Sequence, residues 1–331
     1  MKKQLISLLM VVVLVFSLCA CGGGGDQTEA IHLSLGHSNN TDHHYQTLAE
    51  SFKKIVEEKT GGQIIIDIYP AEQLGSGPEM LEAVKSGTQD LVLDPDAFLA
   101  NYDARFNSIA MPYVFSGWDD VKKFPESEAA KALEDVAKEQ NMVIMGWASN
   151  GFRVFCSNKA IEKPDDFKGL KIRTGSAKLI ADILTKLGAS ATTLSMSDTY
   201  SGIQTGIVDG AENSLANIIG SKWYEVQDYV AITYHQYVSE PLIMNKAKLE
   251  SLTEEQQQIL LDAAKEVCAA DVEYCASAAE DEIKLVEEQG VTVTYPDMEE
   301  FGKALQPITD SYCEEYGAEF TDILNQLKEL Q

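Results

Sequence analysis

Two arginines and one asparagine have the side chains and the sequence positions of an anion-binding site. Arg173 ends a short β-prone run and directly precedes a predicted helix, Arg153 enters another predicted strand, and Asn213 falls in the predicted first turn of a later helix. A helix N-terminus carries unpaired N–H groups that favour an anion, and a guanidinium can bind a carboxylate through two parallel hydrogen bonds. The pattern favours carboxylate recognition, and the alternative for each arginine is a surface ion pair with one of the 52 acidic residues.

The common sequence signatures of enzymes and metal sites are absent. The chain has no Gly-x-Ser-x-Gly, no Gly-x-x-x-x-Gly-Lys and no His-Glu-x-x-His segment. Gly75-Ser76-Gly77 begins a dinucleotide fingerprint but lacks its third glycine. His37, His43 and His44 are close in sequence, but adjacent histidines usually point apart, and the cysteines lack zinc-ligand spacing. The sequence therefore predicts a protein without catalysis, cofactor or metal.

The elements that would position the arginines alternate between strand and helix. Periodic apolar residues predict helices at 48–59, 77–86 and 119–140, and a further helix capped by Ser176 and ended by Gly188. β-prone runs predict strands at 31–36, 64–69, 91–93, 143–147, 154–157 and 171–173. This alternation predicts an α/β fold, and the length predicts two lobes. We place lobe I at 31–150 plus about 239–278 and lobe II at 151–238 plus about 279–331.

One predicted helix is longer than a small lobe. Thr253 to Gln256 fits a capping box, and neither proline nor glycine follows until Gly290. A continuous helix over Thr253–Gln289 would be about 54 Å long at 1.5 Å per residue, enough to cross both lobes. The alternative is a break near Ala270.

The N-terminus has the organisation of a secretory signal. Lys2 and Lys3 precede an apolar run, Leu5–Leu18, which is shorter than the roughly 20 residues that span a bilayer. The segment Leu18-Cys19-Ala20-Cys21 then resembles a bacterial lipobox. We predict a signal peptide at 1–20, and a lipidated Cys21 with a glycine-rich tether at 21–30, holding the protein on the outer face of the cytoplasmic membrane.

The chain is strongly acidic. Its formal charge is −26 from 26 basic and 52 acidic residues, and removing Lys2 and Lys3 with the signal peptide gives 24 − 52 = −28. Such a charge argues against nucleic acid as a partner. It does not exclude an anionic ligand, because charges are screened beyond about 8 Å at physiological salt.

Among the remaining cysteines, Cys268 and Cys275 are too far apart on one helix to pair, and a Cys156–Cys313 disulfide is possible.

Several segments in order along the chain resemble one family. They are 153–159, 164–173, 200–213 and, more weakly, 73–75, 110–113 and 224–227. Together they are similar to the solute-binding proteins of TRAP (tripartite ATP-independent periplasmic) transporters, the DctP family. The resemblance implies a two-lobed, periplasmic-binding-protein-like fold with a long helix across both lobes. It also implies a small organic acid as ligand and a membrane permease as partner, and we expect a monomer.

The resemblance also implies the roles of individual residues. Arg173 would be the main carboxylate clamp, Arg153 the second cation and Asn213 the neighbouring amide. Glu72, from the other lobe, would meet ligand hydroxyls. His37, Asn39 and Asn150 could offer further polar partners to those hydroxyls. Met196 stands where the family commonly has an aromatic residue. A sugar acid such as a uronate is favoured, because a second carboxylate would sit badly beside Glu72. The alternatives are a C4-dicarboxylate-binding TRAP protein, a binding protein of an ATP-driven importer, and an extracytoplasmic enzyme with Glu72 or His37 as base.

Overall fold

A computed structural model describes residues 29–331. The predicted signal peptide and Cys21 lie outside the described residues. The strands are β1 Ile31–His37, β2 Ile64–Tyr69, β3 Leu91–Leu93, β4 Met142–Ser157, β5 Lys171–Thr174, β6 Ser190–Thr193, β7 Gly210–Ser214, β8 Tyr229–Ala231, β9 Tyr237–Asn245 and β10 Thr292–Thr294.

Helices cover both faces of the strands. They are α1 His44–Lys59, α2 Gly77–Ser86, α3 Trp118–Lys123, α4 Glu128–Glu139, α5 Lys178–Leu187, α6 Met196–Gln204, α7 Leu215–Gly220, α8 Lys246–Glu250, α9 Glu254–Glu288 and α10 Met298–Lys328. Short 3₁₀ turns lie at Asp96–Asn101, Ala104–Ser108, Phe124–Glu126, Pro164–Phe167 and Trp223–Glu225. Over residues 29–331, no helix is long and apolar enough to cross a membrane.

Strand β4 joins the two halves of the sheet. The strand order is β2-β1-β3-β9-β4-β7-β5-β6, with β8 pairing both β4 and β10. The first part of β4 pairs with β9 as far as Phe152, and the last part, from Arg153, pairs with β7. The register shifts between Ser149 and Gly151, where Gly151 has φ +97°. The sequence predicted two strands here, and this was wrong because Asn150-Gly151 forms a bulge within one strand rather than a break.

The long helix is confirmed. Helix α9 has 35 residues, and its capping box is formed by Thr253 and Gln256. It packs against α1 and β4, and its later part against α7 and β10. Leu260 belongs to the apolar core of the first half, and Val286 to that of the second. The helix therefore braces both lobes.

Three helix predictions need correction. The predicted helix 119–140 is interrupted at Phe124–Glu126, because Pro125 cannot donate a helical hydrogen bond, and Ser127 caps the new helix α4. The cap of α5 is Ala177 rather than Ser176. Asn213 lies in β7 rather than in a helix, since α7 begins only after Ser214, whose side chain caps it.

The C-terminal helix α10 packs against two other helices. Helix α10 bends at Gly317 and contacts both α4 and α5. The Tyr312 hydroxyl on α10 donates to Asp182 on α5 at 2.7 Å. Cys156 and Cys313 are free thiols, as are Cys268 and Cys275, so the possible disulfide is not formed. The lobe boundaries given above remain a prediction.

Candidate ligand-binding site

A cavity of about 210 Å³ lies between the two halves of the molecule. Its lining includes seven of the eight predicted ligand-binding residues: Asn39, Glu72, Asn150, Arg153, Arg173, Met196 and Asn213. The eighth, His37, does not line it. The chain thus brings together residues from sequence positions 39 to 213 around one partly open cavity.

Arg173 is a buried cation without a carboxylate partner. It lies in β5 with a relative exposure of 5%. Its Nε and Nη2 atoms both donate to the Leu194 carbonyl, at 3.0 and 2.7 Å, and Nη1 has no protein partner among residues 29–331. Burial lowers the pKa of Arg173 to about 10, and the nearby positive charge of Arg153 contributes. The guanidinium stays protonated at neutral pH, so an anion in the cavity would supply the missing charge.

Two neighbours add to this anion-binding character. The ring of Trp223 lies 5.8 Å from the Arg173 guanidinium carbon, within the range of a cation–π contact. Gly175, Ser176 and Ala177 line the cavity and lead into α5, whose N-terminus has no side-chain cap. The free N–H groups of that helix end favour negative charge, as the sequence indicated.

Arg153 is held by an acid that the sequence interpretation missed. Its Nε and Nη2 atoms bond both carboxylate oxygens of Glu212, with Nη2 at 2.7 Å from Oε1. Its Nη1 donates to the Asn213 amide oxygen at 3.0 Å. Glu212 is fully buried in β7. A buried acid requires a cation, but the sequence did not show that Glu212 is buried, because its strand was not predicted. The charge of Arg153 is therefore balanced by Glu212, and one of its N–H groups is used by Asn213.

The amide of Asn213 presents a donor to the cavity. Its oxygen accepts from Arg153, from the Ser214 backbone at 2.9 Å and from Asn217 at 2.8 Å. Its Nδ2 has only the Met196 sulfur, at 3.7 Å. Because a thioether is a weak acceptor, this N–H group remains available for a ligand oxygen. The three groups that donate to its oxygen fix the orientation of the amide.

A buried polar network supports Asn150. Its Nδ2 lies 2.5 Å from the Tyr45 hydroxyl, which in turn donates to Glu240 at 2.6 Å. Burial raises the pKa of Glu240 well above its ordinary value, and Asp94 contributes further. Tyr45, Glu240 and the neighbouring Asn217 were not predicted, because their partners lie far away in sequence. The network holds Asn150 in one orientation at the cavity wall.

Glu72 forms the opposite wall. It has φ +59° and follows Ala71 at φ +52°, a left-handed pair that is unusual for residues with a Cβ. Backbone bonds hold this loop, because the Glu72 N–H donates to the His37 carbonyl at 3.2 Å. The Glu72 carboxylate accepts from Ser197 of the second half at 2.7 Å. The two halves therefore meet across the cavity in a closed arrangement.

His37 supports this wall from behind. Its Nε2 pairs with the Gln46 side-chain oxygen at 3.0 Å, and the residue is fully buried. Burial lowers the pKa of His37, so it is neutral at neutral pH. The structure places it beside the Glu72 loop and not at the cavity surface, so direct contact with a ligand is not evident.

The sequence and fold are similar to those of known solute-binding proteins. The family model of bacterial extracellular solute-binding proteins, family 7 (DctP), matches residues 35–315. The sialic acid-binding periplasmic protein SiaP of Vibrio cholerae is 29% identical over 270 residues, covering 81% of this chain and 84% of that protein. The C4-dicarboxylate-binding periplasmic protein DctP of Rhodobacter capsulatus is 28% identical over 280 residues, covering 82% and 83%.

Solved structures share the whole architecture. A TRAP periplasmic solute-binding protein from Sulfitobacter sp. NAS-14.1, solved with bound β-D-galacturonate, superposes with a TM-score of 0.86. It is 27% identical and the match covers 90% of this chain and 99% of that one. The similarity therefore extends over most of the chain and nearly all of the Sulfitobacter protein.

Proposed function

The chain belongs to family 7 of the bacterial extracellular solute-binding proteins, the DctP family of TRAP transporters, and from this we propose that it binds a sugar acid such as a uronate through Arg173. Members of this family bind small organic acids and work with a membrane permease; they are not enzymes. The alternatives of an extracytoplasmic enzyme and of a binding protein for an ATP-driven importer do not agree with the family.

The observation that carries the proposal is the Nη1 of Arg173, which lies at the cavity without a partner in the part of the chain that the structure describes. The protein has already buried this charge, and Leu194 holds the guanidinium in place, so little is lost in ordering it when a ligand binds. Asn213 lines the same cavity and offers its Nδ2 as a second donor to a ligand oxygen. Arg153 is neutralised by Glu212, which leaves Arg173 as the cation that determines the sign of the ligand.

Other groups of the cavity favour hydroxyl groups over a second carboxylate. The Glu72 carboxylate can accept hydrogen bonds from hydroxyls and would repel a negative charge. Asn39 and Ser76 line the same cavity and add neutral polar groups. The Sulfitobacter protein of similar fold holds β-D-galacturonate, which supports a uronate as the ligand. The Rhodobacter relative keeps a C4-dicarboxylate as the alternative ligand.

A binding experiment with one substitution separates the two ligand classes. Calorimetry of the full chain is expected to show D-galacturonate or D-glucuronate binding and no succinate binding. Glu72→Gln removes a charge and keeps the shape, so it is expected to weaken uronate binding about tenfold, the loss of about 1.4 kcal/mol from one charged hydrogen bond. Glu50→Gln, an exposed acid outside the cavity, is the control.

The outcome for succinate decides between the alternatives. Tight succinate binding by the unchanged chain, with Glu72→Gln improving it further, would establish the dicarboxylate alternative. Absence of binding for uronates, other sugar acids and dicarboxylates would contradict the assignment of the cavity.

We also propose that the protein is monomeric and is tethered by a lipidated Cys21 to the outer face of the cytoplasmic membrane.

A further inference from the structure

Three potential metal ligands meet outside the ligand cavity. The His44 Nδ1 atom lies 2.6 Å from Asp271 Oδ1, and the Cys275 sulfur lies 3.9 Å from His44 Nδ1 and 3.9 Å from Asp271 Oδ2. The three donor atoms all lie within 4.8 Å of one another. The side chains of His44 and Asp271 are only 6% and 4% exposed, and Cys275 is buried. None of the three residues is among those that line the ligand cavity.

The positions of the three residues are fixed by separate elements. Asp271 and Cys275 are four residues apart on α9, so they project from the same face of the helix. His44 is the first residue of α1, which packs against α9. The backbone N–H of Ser149 in β4 donates to Asp271 Oδ2 at 3.0 Å and so orients the carboxylate. Such outer contacts are typical of metal-binding side chains.

The separations are close to those of a tetrahedral zinc site. Ligand bonds of about 2.0–2.3 Å at tetrahedral angles give N···O separations of about 3.3 Å and separations from sulfur of about 3.5 Å. The His44–Asp271 pair would need to open by about 0.7 Å, and Cys275 would need to approach by about 0.4 Å. Side-chain rotations supply shifts of this size. Imidazole, thiolate and carboxylate together form a donor set that suits Zn²⁺.

Space exists for a fourth ligand and for entry of an ion. A small cavity of about 30 Å³, lined by Cys275 and Glu282, adjoins the cluster and can hold a water molecule. A groove of about 570 Å³, lined by His44, Asp271 and Tyr274, opens from the cluster to the surface between α1 and α9. An ion could therefore reach the three donors without unfolding of either lobe.

We propose that His44, Asp271 and Cys275 bind a divalent transition-metal ion of the Zn²⁺ type. Binding replaces the thiol proton of Cys275, which goes to solvent, and the proton between His44 Nδ1 and Asp271 moves to His44 Nε2, so that the metal-bound imidazole stays neutral. The sequence predicted no metal site, because His44 is 227 residues from Asp271 and only the four-residue spacing on α9 was visible. The ion would join α1 to α9 next to the bulge of β4, since Asp271 accepts a hydrogen bond from the Ser149 backbone.

Cobalt provides a direct test, because a Co²⁺–thiolate bond has a charge-transfer absorption that other ligands do not give. The full chain, reduced with a phosphine in metal-free buffer, is titrated with Co²⁺ and then with Zn²⁺. We expect one Co²⁺ per chain with the thiolate band, and its loss when Zn²⁺ is added. Cys275→Ser is expected to abolish the band, and His44→Gln is expected to weaken Co²⁺ binding at least tenfold.

Cys268→Ser is the matched control, since Cys268 is buried on the same helix but is outside the cluster. It is expected to retain the band. Circular dichroism of each variant checks that it is folded. If His44→Gln does not fold, Asp271→Asn provides the second test. A missing band in the unchanged chain would overturn the proposal. A band of equal strength in Cys275→Ser would also overturn it, since the ion would then occupy other cysteines.

Discussion

Replacement of Arg173 by alanine tests the central feature of the ligand site. The substitution removes the buried guanidinium that lacks a carboxylate partner. A hydrogen bond to a charged group contributes about 1.5–3 kcal/mol, and the variant also leaves the ligand carboxylate buried without a cation. Affinity for the sugar acid should therefore fall at least about a hundredfold, since each 1.4 kcal/mol is a factor of ten.

Replacement by lysine separates charge from geometry. Lysine keeps the positive charge but loses the planar guanidinium. That group donates twice to the Leu194 carbonyl and at the same time presents Nη1 to the cavity. Arg173→Lys should recover only part of the lost affinity. If the arginine merely raised the local potential, lysine would substitute almost fully. A surface ion pair would predict a change below about 1 kcal/mol for either variant.

The assay is calorimetry with the uronate that binds the unchanged chain. Lys171→Ala is the control, because Lys171 is an exposed cation on the same strand. Thermal unfolding of each variant shows whether the lost bonds to Leu194 have weakened the fold, so that affinity is compared well below the unfolding midpoint. Affinity within a few-fold of the unchanged chain in Arg173→Ala would refute the clamp.

Two further predictions concern stability and location. Burial raises the pKa of Asp96 to about 7, so the folded protein retains a proton that the unfolded chain releases above about pH 4. Stability should therefore fall as the pH rises from about 4 to about 7, and Asp96→Asn should make the fall in thermal midpoint shallower; an unchanged slope would contradict this. Cys21→Ala should release the protein from the membrane without altering ligand affinity, and fractionation that finds the variant still membrane-bound would exclude the lipid anchor.

The sequence predicted the elements that depend on local signals. The long helix α9 is such an element, since its capping box and the absence of breakers lie within one segment. Predictions failed where a local signal was ambiguous. Asn150-Gly151 looked like a break between strands and is a bulge inside β4. The assignment of Arg173, Arg153 and their neighbours to a ligand site was predicted from the motif resemblance, and the structure shows that they line one cavity.

The supporting residues of the site could not be predicted, because each depends on a distant partner. Tyr45 and Glu240 are 195 residues apart and form one hydrogen bond. Glu212 compensates Arg153 across two strands, although 59 residues separate them. No periodicity or spacing in the sequence encodes such pairs, since they arise only when the sheet assembles.

The bulge at Ser149–Gly151 has a mechanical consequence for solute capture. The register of β4 slips there, and its partner strand changes immediately afterwards, so we expect this point to be the hinge of any rotation between the two halves. Helix α9 is continuous and contacts both lobes, so it resists sliding and leaves rotation as the easier motion. Apparent affinity depends on the fraction of molecules that can adopt the closed arrangement. Residues at this hinge can therefore tune capture and release, even where they do not touch the solute.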